Sequence, residues 1–541
     1  MEMQNQVVRE KAIELVNITK TFKGVVANKD INLTLYKGEI LSILGENGSG
    51  KTTLMNMLAG IYQPESGEIY VNGEKASIHS PRDSFEYGIG MVHQHYKLVE
   101  VFTAEENILL GFKKEKKADV IARVKSIIDK YGFEIDLKKK IHNMSVSEKQ
   151  NVEIVKVLVR DVSVLILDEP TAVLTPQEIT KFFAVLKKMR EDGKSIILIT
   201  HKLNEVMEIS DRVSILRKGE YITSIKTSET DEKELTDYMV GKKVDLKLER
   251  LRIKASAPVL EIRNLCVLKD DGTTAIDNLD FFLRGGQILG VAGIAGCGQK
   301  EMCEALVGLR KYKGSVTHNG KSIVGFTPEQ IKDLGIYMSF IPEDRLGIGL
   351  APSLSITDNM LLKSYKQSRG IFVDRDSARK KAQNLIDRYQ VVTPSTETPV
   401  KNLSGGNVQK ILVGREIGTN PNVLITAYPV RGLDINSSYM IYDILNEEKR
   451  KNTAILFIGE DLDVLMTFCD KIMVLCHGKN MGVVHTKDTT KEQIGMMMTG
   501  ALDLSKTLGK TYGIASDSLL TDEEWSKLYS NEGEVSENEE K

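Results

Sequence analysis

Short apolar runs of single-strand length recur along the chain and are separated by longer stretches with helical patterning. Examples are ILSIL (40–44), VSVLIL (162–167) and SIILIT (195–200). Buried strands that alternate with helices are typical of a parallel sheet built from βαβ units. The pattern therefore predicts an α/β fold with a parallel sheet and an inserted helix-rich segment.

The whole pattern occurs twice. The segment KGEILSILGENGSGKTTL is similar to GGQILGVAGIAGCGQKEM, and VLILDEP is similar to VLITAYP. In these pairs Gly45 and Gly293 are 248 residues apart, whereas Asp168 and Ala427 are 259 residues apart. A constant offset that changes once, by an insertion of 11 residues, indicates a duplicated domain.

The repeat predicts the domain organisation. We expect a first domain at residues 11–245 and a second at 258–505, joined by a charged linker at 246–257 that ends before Pro258. Residues 511–541 form a predicted acidic tail.

Composition excludes several classes of protein. The 541 residues contain 73 Lys and Arg against 75 Asp and Glu. The charges nearly balance, so the chain lacks the excess positive charge that is typical of nucleic-acid-binding proteins. Five Cys without a CxxC pattern argue against a disulfide framework or structural zinc. The first residues do not read as a secretory signal, and no apolar run reaches the roughly 20 residues of a membrane span. The sequence predicts a cytosolic protein that would act on a membrane only through a partner.

The glycine-rich segment GENGSGKT (45–52) follows a strand and precedes a helix, which is the context of a phosphate-binding loop. In such loops backbone N–H groups surround the phosphates, the Lys51 ammonium reaches the β- and γ-phosphates, and the Thr52 hydroxyl binds Mg²⁺. A chance glycine turn is the alternative, which the complete pattern disfavours. The predicted nucleotide-binding residues of the loop are Gly45, Glu46, Asn47, Gly48, Ser49, Gly50, Lys51, Thr52 and Thr53.

Four further residues follow strands that are predicted to end near this loop. Asp168 would bind magnesium and Glu169 would polarise the attacking water, since phosphoryl transfer needs positioning and charge neutralisation. His201 would contact the γ-phosphate and the water, and Gln94 would sense magnesium and the water. With Lys51, the residues Gln94, Glu169 and His201 form the predicted catalytic group, and Thr52, Gln94 and Asp168 the predicted magnesium ligands. A strand cap at 168–169 and a solvated His201 are the alternatives.

Phe22 ends the first predicted strand. Its ring would either stack on adenine or belong to the buried core.

With LSGGN (403–407) added to these motifs, the chain resembles the ATP-binding-cassette (ABC) ATPases over about residues 11–505. The resemblance implies two tandem ABC ATPase domains of the P-loop NTPase type, each with a RecA-like core, a β-subdomain and a helical subdomain. In the second copy IPEDR (341–345) and RGLD (431–434) are similar to the sugar- and nucleoside-importer branch. GIGMVHQHYKLVEVFTAEENILLG (88–111) is similar to the purine-nucleoside importers in particular.

The resemblance to that branch implies a partner and a cellular location for this chain. This chain would hydrolyse ATP with Mg²⁺ at the cytoplasmic face of the cell membrane, bound to integral-membrane permease subunits. An extracytoplasmic solute-binding (lipo)protein would be an indirect partner, and nucleic acid would not be one. A purine nucleoside is the expected solute, and a simple sugar such as ribose or galactose is the alternative.

The second copy has lost the residues that hydrolysis needs. Gln299 stands for Lys51 and Lys300 for Thr52, and the later motifs carry Ala427, Tyr428 and Glu460 in place of Asp168, Glu169 and His201. Because its glycines remain, we expect this degenerate second site to bind nucleotide without hydrolysing it. Its residues are Gly293, Gly296, Gly298 and Gln299.

The signature sequences show the opposite asymmetry. The second copy keeps LSGGN, whereas the first reads MSVSE (144–148) with Ser147 in place of Gly406. The resemblance implies head-to-tail pairing of the two cassettes, in which each loop is completed by the signature of the other copy. Ser404, Gly405 and Gly406 would then complete the first loop, and every intact element would fall in one hydrolytic site.

Three other classes of protein are weighed against the pattern. A soluble tandem-cassette ATPase acting on ribosomes is disfavoured by the near-neutral charge, the lack of a long basic linker and the degenerate second site. A regulatory nucleotide-binding protein without turnover is disfavoured by the complete first site. A DNA-repair cassette would carry zinc-ligand cysteines, which this sequence lacks.

Overall fold

A computed structural model shows the chain as two compact units, residues 1–245 and 246–541. The structure describes residues 9–22, 24–94, 96–112, 115–172, 174–241, 248–253, 255–365 and 373–505. The predicted acidic tail at 511–541 lies outside the described residues.

The first unit begins with two long strands, and its remaining elements alternate between strand and helix. Its strands are β1 (Lys11–Phe22), β2 (Val25–Tyr36), β3 (Ile40–Leu44), β4 (Ser66–Val71), β5 (Glu74–Ala76), β6 (Ile89–Val92), β7 (Val164–Asp168), β8 (Ser195–Ile199), β9 (Arg212–Arg217) and β10 (Glu220–Lys226). Its helices are α1 (Lys51–Leu58), α2 (Pro81–Glu86), α3 (Ala104–Leu109), α4 (Lys117–Tyr131), α5 (Val146–Leu158), α6 (Pro176–Glu191), α7 (Leu203–Ile209) and α8 (Glu232–Val240).

These strands form two sheets. One is antiparallel, in the order β2-β1-β4-β5, and the other has the order β10-β9-β3-β8-β7-β6. The second sheet is parallel except for the β9–β10 pair. Strands β3, β7 and β8 are buried along their whole length, which explains why they read as unbroken apolar runs. Since parallel strands share a carboxyl edge, the loops after β3, β6, β7 and β8 meet there.

Helices α3, α4 and α5 form the helix-rich segment between β6 and β7. Two of them begin at capping boxes, in which the side chains of Thr103 and Ser145 accept from the backbone N–H three residues later. Their inward faces share one apolar core, which includes Ile108, Val124 and Val155. The insertion predicted from the sequence therefore packs on one face of the parallel sheet, because the same core includes Leu165 of β7 and Leu198 of β8.

The second unit repeats the first element by element. Its strands are β11 (Pro258–Leu268), β12 (Thr274–Arg284), β13 (Ile288–Gly293), β14 (Tyr312–His318), β15 (Lys321–Ser322), β16 (Met338–Ile341), β17 (Val423–Ala427), β18 (Ala454–Ile458), β19 (Lys471–Cys476) and β20 (Lys479–His485). Its helices are α9 (Gln299–Leu306), α10 (Pro328–Asp333), α11 (Ile356–Leu361), α12 (Arg375–Tyr389), α13 (Gly405–Ile417), α14 (Ile435–Arg450), α15 (Leu462–Phe468) and α16 (Lys491–Met498).

The sheet orders of this unit, β12-β11-β14-β15 and β16-β17-β18-β13-β19-β20, match those of the first. The predicted α/β fold with two repeated domains is confirmed. The offset between equivalent elements is 248 residues at β3 and β13 and 258 at α4 and α12. Most of the 11-residue insertion therefore falls before α12, in the first part of the helical subdomain.

Part of the predicted linker is fixed to the second unit. The Lys449 ammonium is buried and donates to the carbonyl of Leu251 at 2.6 Å and to Asp470 Oδ1 at 2.8 Å. Asn446 donates to the carbonyl of Glu249 at 3.0 Å. Residues 248–253 thus pack on helix α14. Over the described part of the chain, no helix combines the length and the apolar character that crossing a membrane requires.

Candidate nucleotide site

The loop between β3 and α1 can be formed only with glycine at two of its positions. Gly50 has a φ of 95°, and a Cβ atom there would lie 2.3 Å from the carbonyl oxygen of Ala27. A Cβ atom at Gly45 would lie 2.2 Å from the carbonyl oxygen of Leu216. Gly48 has a φ of 80° and faces open space, so its backbone is accessible to a ligand.

Lys51 is the first residue of α1 and is almost completely buried. Its ammonium donates to the carbonyl of Gly45 at 2.7 Å and to that of Glu46 at 2.9 Å, so the loop encircles the charge. Burial lowers the pKa of Lys51, while the carboxylates of Glu169 and Asp168 oppose that shift. Asn47 is exposed at the tip of the loop, whereas Ser49 is buried.

The predicted magnesium ligands on β7 and α1 are neighbours. The Thr52 hydroxyl lies 3.5 Å from Asp168 Oδ1, and the Asp168 side chain is buried at the end of its strand. Carboxylate, hydroxyl and amide oxygens are the donors that Mg²⁺ prefers. The oxygens of Thr52, Asp168 and Gln94 are therefore suitable donors for the ion. The predicted nucleotide-binding residue Thr53 follows Thr52 on α1.

Glu169 is the centre of the predicted catalytic group. Its carboxylate accepts from Gln94 Nε2 at 2.8 Å, and His201 Nδ1 lies 2.9 Å from its other oxygen. Glu169 has a φ of 47°, and its N–H donates to the carbonyl of Ile199 at 3.0 Å. The structure therefore brings together the side chains that follow β6, β7 and β8.

The electrostatics of this group keep the carboxylate charged. The contact with His201 holds the pKa of Glu169 below its ordinary value against the effect of burial, and the charges of Lys51 and Lys202 lower the pKa further. A deprotonated carboxylate at this position can accept a hydrogen bond or a proton from water.

Phe22 is 39% exposed at the end of β1, so it is not part of the buried core. Its ring meets the ring of Tyr62 edge-on, with the centroids 5.2 Å apart. Both are surface aromatics, a combination that is compatible with stacking on a base. Sequence reasoning missed Tyr62, which lies four residues after the last residue of α1 and carries no motif.

In the second unit the equivalent loop keeps the same backbone without the charge. Gly298 has a φ of 98° and Gly296 a φ of 88°, and a Cβ at Gly293 would lie 2.7 Å from Gln299 Nε2. The buried amide of Gln299 donates to the carbonyl of Ile294 at 3.1 Å, which is the position of the Glu46 carbonyl in the first unit. Lys300 is on the surface, 3.8 Å from Glu304. Lysine and alanine at 300 and 427 are not magnesium ligands, so this site does not fit the ion.

At the carboxyl edge of the six-stranded sheet, the second unit has charges opposite to those of the first unit. Tyr428 has a φ of 50°, and its N–H donates to the carbonyl of Ile458 at 2.9 Å, as Glu169 does to Ile199. Arg431 forms ion pairs with Glu343 and, at 2.7 Å, with Glu460, which occupy the positions of Gln94 and His201. A cation thus replaces a carboxylate as the centre of the group. Sequence reasoning missed Glu343 and Arg431. The repeat offset of 259 aligns Arg431 with Ala172, whereas the match of Glu343 with Gln94 follows from the equivalent strands β6 and β16.

Comparison with known proteins accounts for both units. The sequence profile of the ABC transporter family matches residues 28–172 and 276–429, more than half of the chain.

The chain belongs to the ABC transporter family. Its two units are cassettes, and the chain is an ATP-binding protein of this family and hence an ATPase.

Several members of the family are similar over almost the whole length. The guanosine import ATP-binding protein NupO of Bacillus subtilis is 44% identical over 93% of this chain and 100% of its own. The nucleoside import ATP-binding protein NupA of Lactococcus lactis is 38% identical over 91% of this chain and 98% of its own. The glucose import ATP-binding protein TsgD13 of Haloferax volcanii is 37% identical over 93% of this chain and 98% of its own.

The two signature sequences begin helices in their own cassettes. Ser404 is the N-cap of α13, with Gly405 and Gly406 in the first turn. Ser145 is the N-cap of α5, with Ser147 at the position of Gly406. A Cβ at Gly406 would lie 3.3 Å from Ser437 Oγ and 3.5 Å from Asp434 Oδ2, which is close but not prohibitive.

We predict that Glu169→Gln lowers ATP turnover about 10³-fold, because it removes the charge that would polarise water in the predicted catalytic group. Lys51→Ala should have a similar effect, through loss of the phosphate cation. The measurement is the ATPase rate of the purified chain. Tyr428→Phe, at the equivalent backbone position of the second cassette, is the matched control and should stay within about twofold of wild type. Turnover above about a tenth of wild type in Glu169→Gln would refute the assignment.

Proposed function

We propose that this chain hydrolyses MgATP at one site, in the first cassette, to drive the import of a purine nucleoside. The observation that supports the single site is the Gln94–Glu169–His201 group beside Lys51. The equivalent positions of the second cassette carry Glu343, Tyr428 and Glu460 instead. Relatives named for guanosine and nucleoside import support the solute. The relative named for glucose import favours a simple sugar as the second candidate.

The chemistry at this site follows from the geometry of its own side chains. Thr52 and Asp168, with Gln94, would hold Mg²⁺, which supplies charge neutralisation to the phosphates when it is bound. Lys51 binds the β- and γ-phosphates, and Glu169 accepts a hydrogen bond from the attacking water. His201 orients that carboxylate and contacts the γ-phosphate.

Binding to integral-membrane permease subunits is part of the proposal and gives the chain its place at the cytoplasmic face of the membrane. Each helical subdomain carries exposed apolar side chains at equivalent positions that a partner could cover. Phe102 and Leu110 flank α3 and are 36% and 41% exposed, and Leu354 and Leu362 flank α11 at 40% and 49%. An extracytoplasmic binding protein would act through the permease, and nucleic acid has no role in this function.

We further propose that the intact loop of the first cassette is completed by the signature Ser404-Gly405-Gly406 of the second. The support is the sorting of intact and altered motifs: the complete loop lacks a glycine signature in its own cassette, and the glycine signature lies in the cassette with the altered loop. Glycine lets a helix N-terminus approach a phosphate closely. The degenerate loop with Gly293, Gly296, Gly298 and Gln299 would hold nucleotide without turnover.

Substitutions in the two signatures should therefore differ in effect. Gly406→Asp is expected to stop ATP hydrolysis, because it places a side chain and a negative charge against the γ-phosphate. Ser147→Asp should lower ATP hydrolysis far less. In the proposed pairing Ser147 faces the degenerate loop of the second cassette, which lacks the phosphate-binding lysine. The measurement is the ATPase rate of both variants side by side, with the permease present.

Gly406→Ser and Ser147→Gly are a second, less disruptive pair of variants. Each places at one signature position the residue that the other cassette has there. They avoid the second carboxylate that Gly406→Asp would bring close to Asp434 within the same cassette. Equal loss in the two signatures, or greater loss at Ser147, would contradict the proposed pairing.

The proposed solute is tested by uptake. Deleting this chain should abolish accumulation of radiolabelled guanosine and adenosine at submicromolar concentration while leaving ribose and glucose uptake intact, because energy coupling would be lost for one importer only. Expression of the wild-type chain in the deletion strain should restore nucleoside accumulation, and expression of the Glu169→Gln variant should not. Loss of ribose or glucose uptake with normal nucleoside uptake would overturn the nucleoside assignment in favour of the sugar.

A further inference from the structure

A buried carboxylate lies behind the catalytic group of the first cassette. Glu205, in the first turn of α7, is only 4% exposed. One of its oxygens accepts from the Thr171 hydroxyl at 2.6 Å and from the Thr200 hydroxyl at 3.3 Å. Its other oxygen accepts no hydrogen bond from the described residues and lies 3.0 Å from the Lys202 ammonium, which forms an ion pair with it. A buried carboxylate that accepts from two hydroxyls and pairs with an ammonium fixes the groups around it.

The partners of Glu205 belong to the two segments that carry the catalytic side chains. Thr171 is two residues after Glu169, and Thr200 and Lys202 are the direct neighbours of His201 in the chain. The two segments are also linked directly, since the Lys202 ammonium donates to the carbonyl of Thr171 at 3.3 Å. The Thr200 hydroxyl in turn accepts from the N–H of Lys202 at 3.1 Å. Glu205 therefore ties the segment after β7 to the segment after β8.

The equivalent positions of the second cassette do not form this network. The repeat offset places Val430, Gly459, Asp461 and Val464 at the positions of Thr171, Thr200, Lys202 and Glu205. Val430 and Val464 pack against an apolar core. The same two segments are connected there on the other side, by the ion pair of Arg431 with Glu460. A polar network that occurs only beside the complete catalytic group is not required by the fold.

We propose that Glu205 is a positioning residue for ATP hydrolysis. It holds the segments of Glu169 and His201 at the separation that gives their 2.9 Å contact, so that the carboxylate faces the attacking water. This inference rests on the proposed hydrolytic site and adds to it a residue that touches neither nucleotide nor water. Misplacement of a reacting group by about 1 Å can lower a rate by about 10²-fold, whereas ground-state binding through the loop is less sensitive.

The test is a kinetic comparison of two substitutions. Glu205→Val installs the residue of the second cassette, and we expect kcat to fall at least about tenfold while KM for MgATP stays within about threefold. Glu205→Gln retains a carbonyl oxygen for the threonine hydroxyls and should recover kcat to within about threefold of wild type. Glu208→Val, an exposed glutamate on the same helix, is the matched control and should leave both parameters unchanged.

Two outcomes would overturn the proposal. The first is that Glu205→Val keeps more than half of the wild-type kcat. The second is that kcat and MgATP affinity fall by the same factor together with the melting temperature, because a purely structural role would lower all three. If Glu205→Val does not fold, Thr171→Val and Thr200→Val, which each remove one hydroxyl donor to Glu205, decide the question as a double-mutant cycle. Their losses in kcat should be less than multiplicative, because both act through one network, and independent losses would contradict it.

The Glu169→Gln variant separates this proposal from the assignment of the site. If that variant keeps more than about a tenth of the wild-type turnover, the proposed hydrolytic site is wrong. If it is inactive while Glu205→Val is normal, the site stands and only the role of Glu205 is refuted.

Discussion

The hydrogen bonds that converge on the carboxylate of Glu169 are the contacts on which the first site depends. Gln94 and His201 reach this carboxylate from the loops after β6 and β8, and the left-handed backbone at Glu169 turns the side chain toward both. The sheet makes this possible, because it brings the carboxyl ends of its parallel strands to one edge. The glycine loop then places Lys51, the cation that the phosphates need, beside the same carboxylate.

The second cassette separates the fold from the chemistry. Tyr428 has nearly the same φ and the same backbone hydrogen bond as Glu169, and Gln299 donates to the carbonyl that corresponds to that of Glu46. The polypeptide path is thus retained while the charges are reversed, with Arg431 between two glutamates where the first cassette has Glu169 between an amide and an imidazole. Backbone geometry is determined by buried strands and glycines, so the catalytic side chains were free to change.

Sequence patterns predicted most of the fold, because buried strands, glycine turns and the repeat leave local signals. The glycine loop and the side chains of Asp168, Glu169, His201 and Gln94 were identified from motifs, and the structure brings the last three together. The contacts of Glu205, Arg431 and Tyr62 were not predicted, since they depend on which loops meet at a sheet edge. The same holds for residues 248–253, whose charged sequence resembles a linker although Lys449 fixes them to the second cassette.

We propose that one of the two cassettes hydrolyses ATP. A rapid-quench experiment with radiolabelled MgATP at saturation tests this proposal most directly, with bound ATP and ADP counted per chain during the first turnover. Two bound nucleotides per chain are expected, of which one is converted to ADP and the other is recovered as ATP. Two equivalents of ADP per chain formed in that first turnover would contradict it.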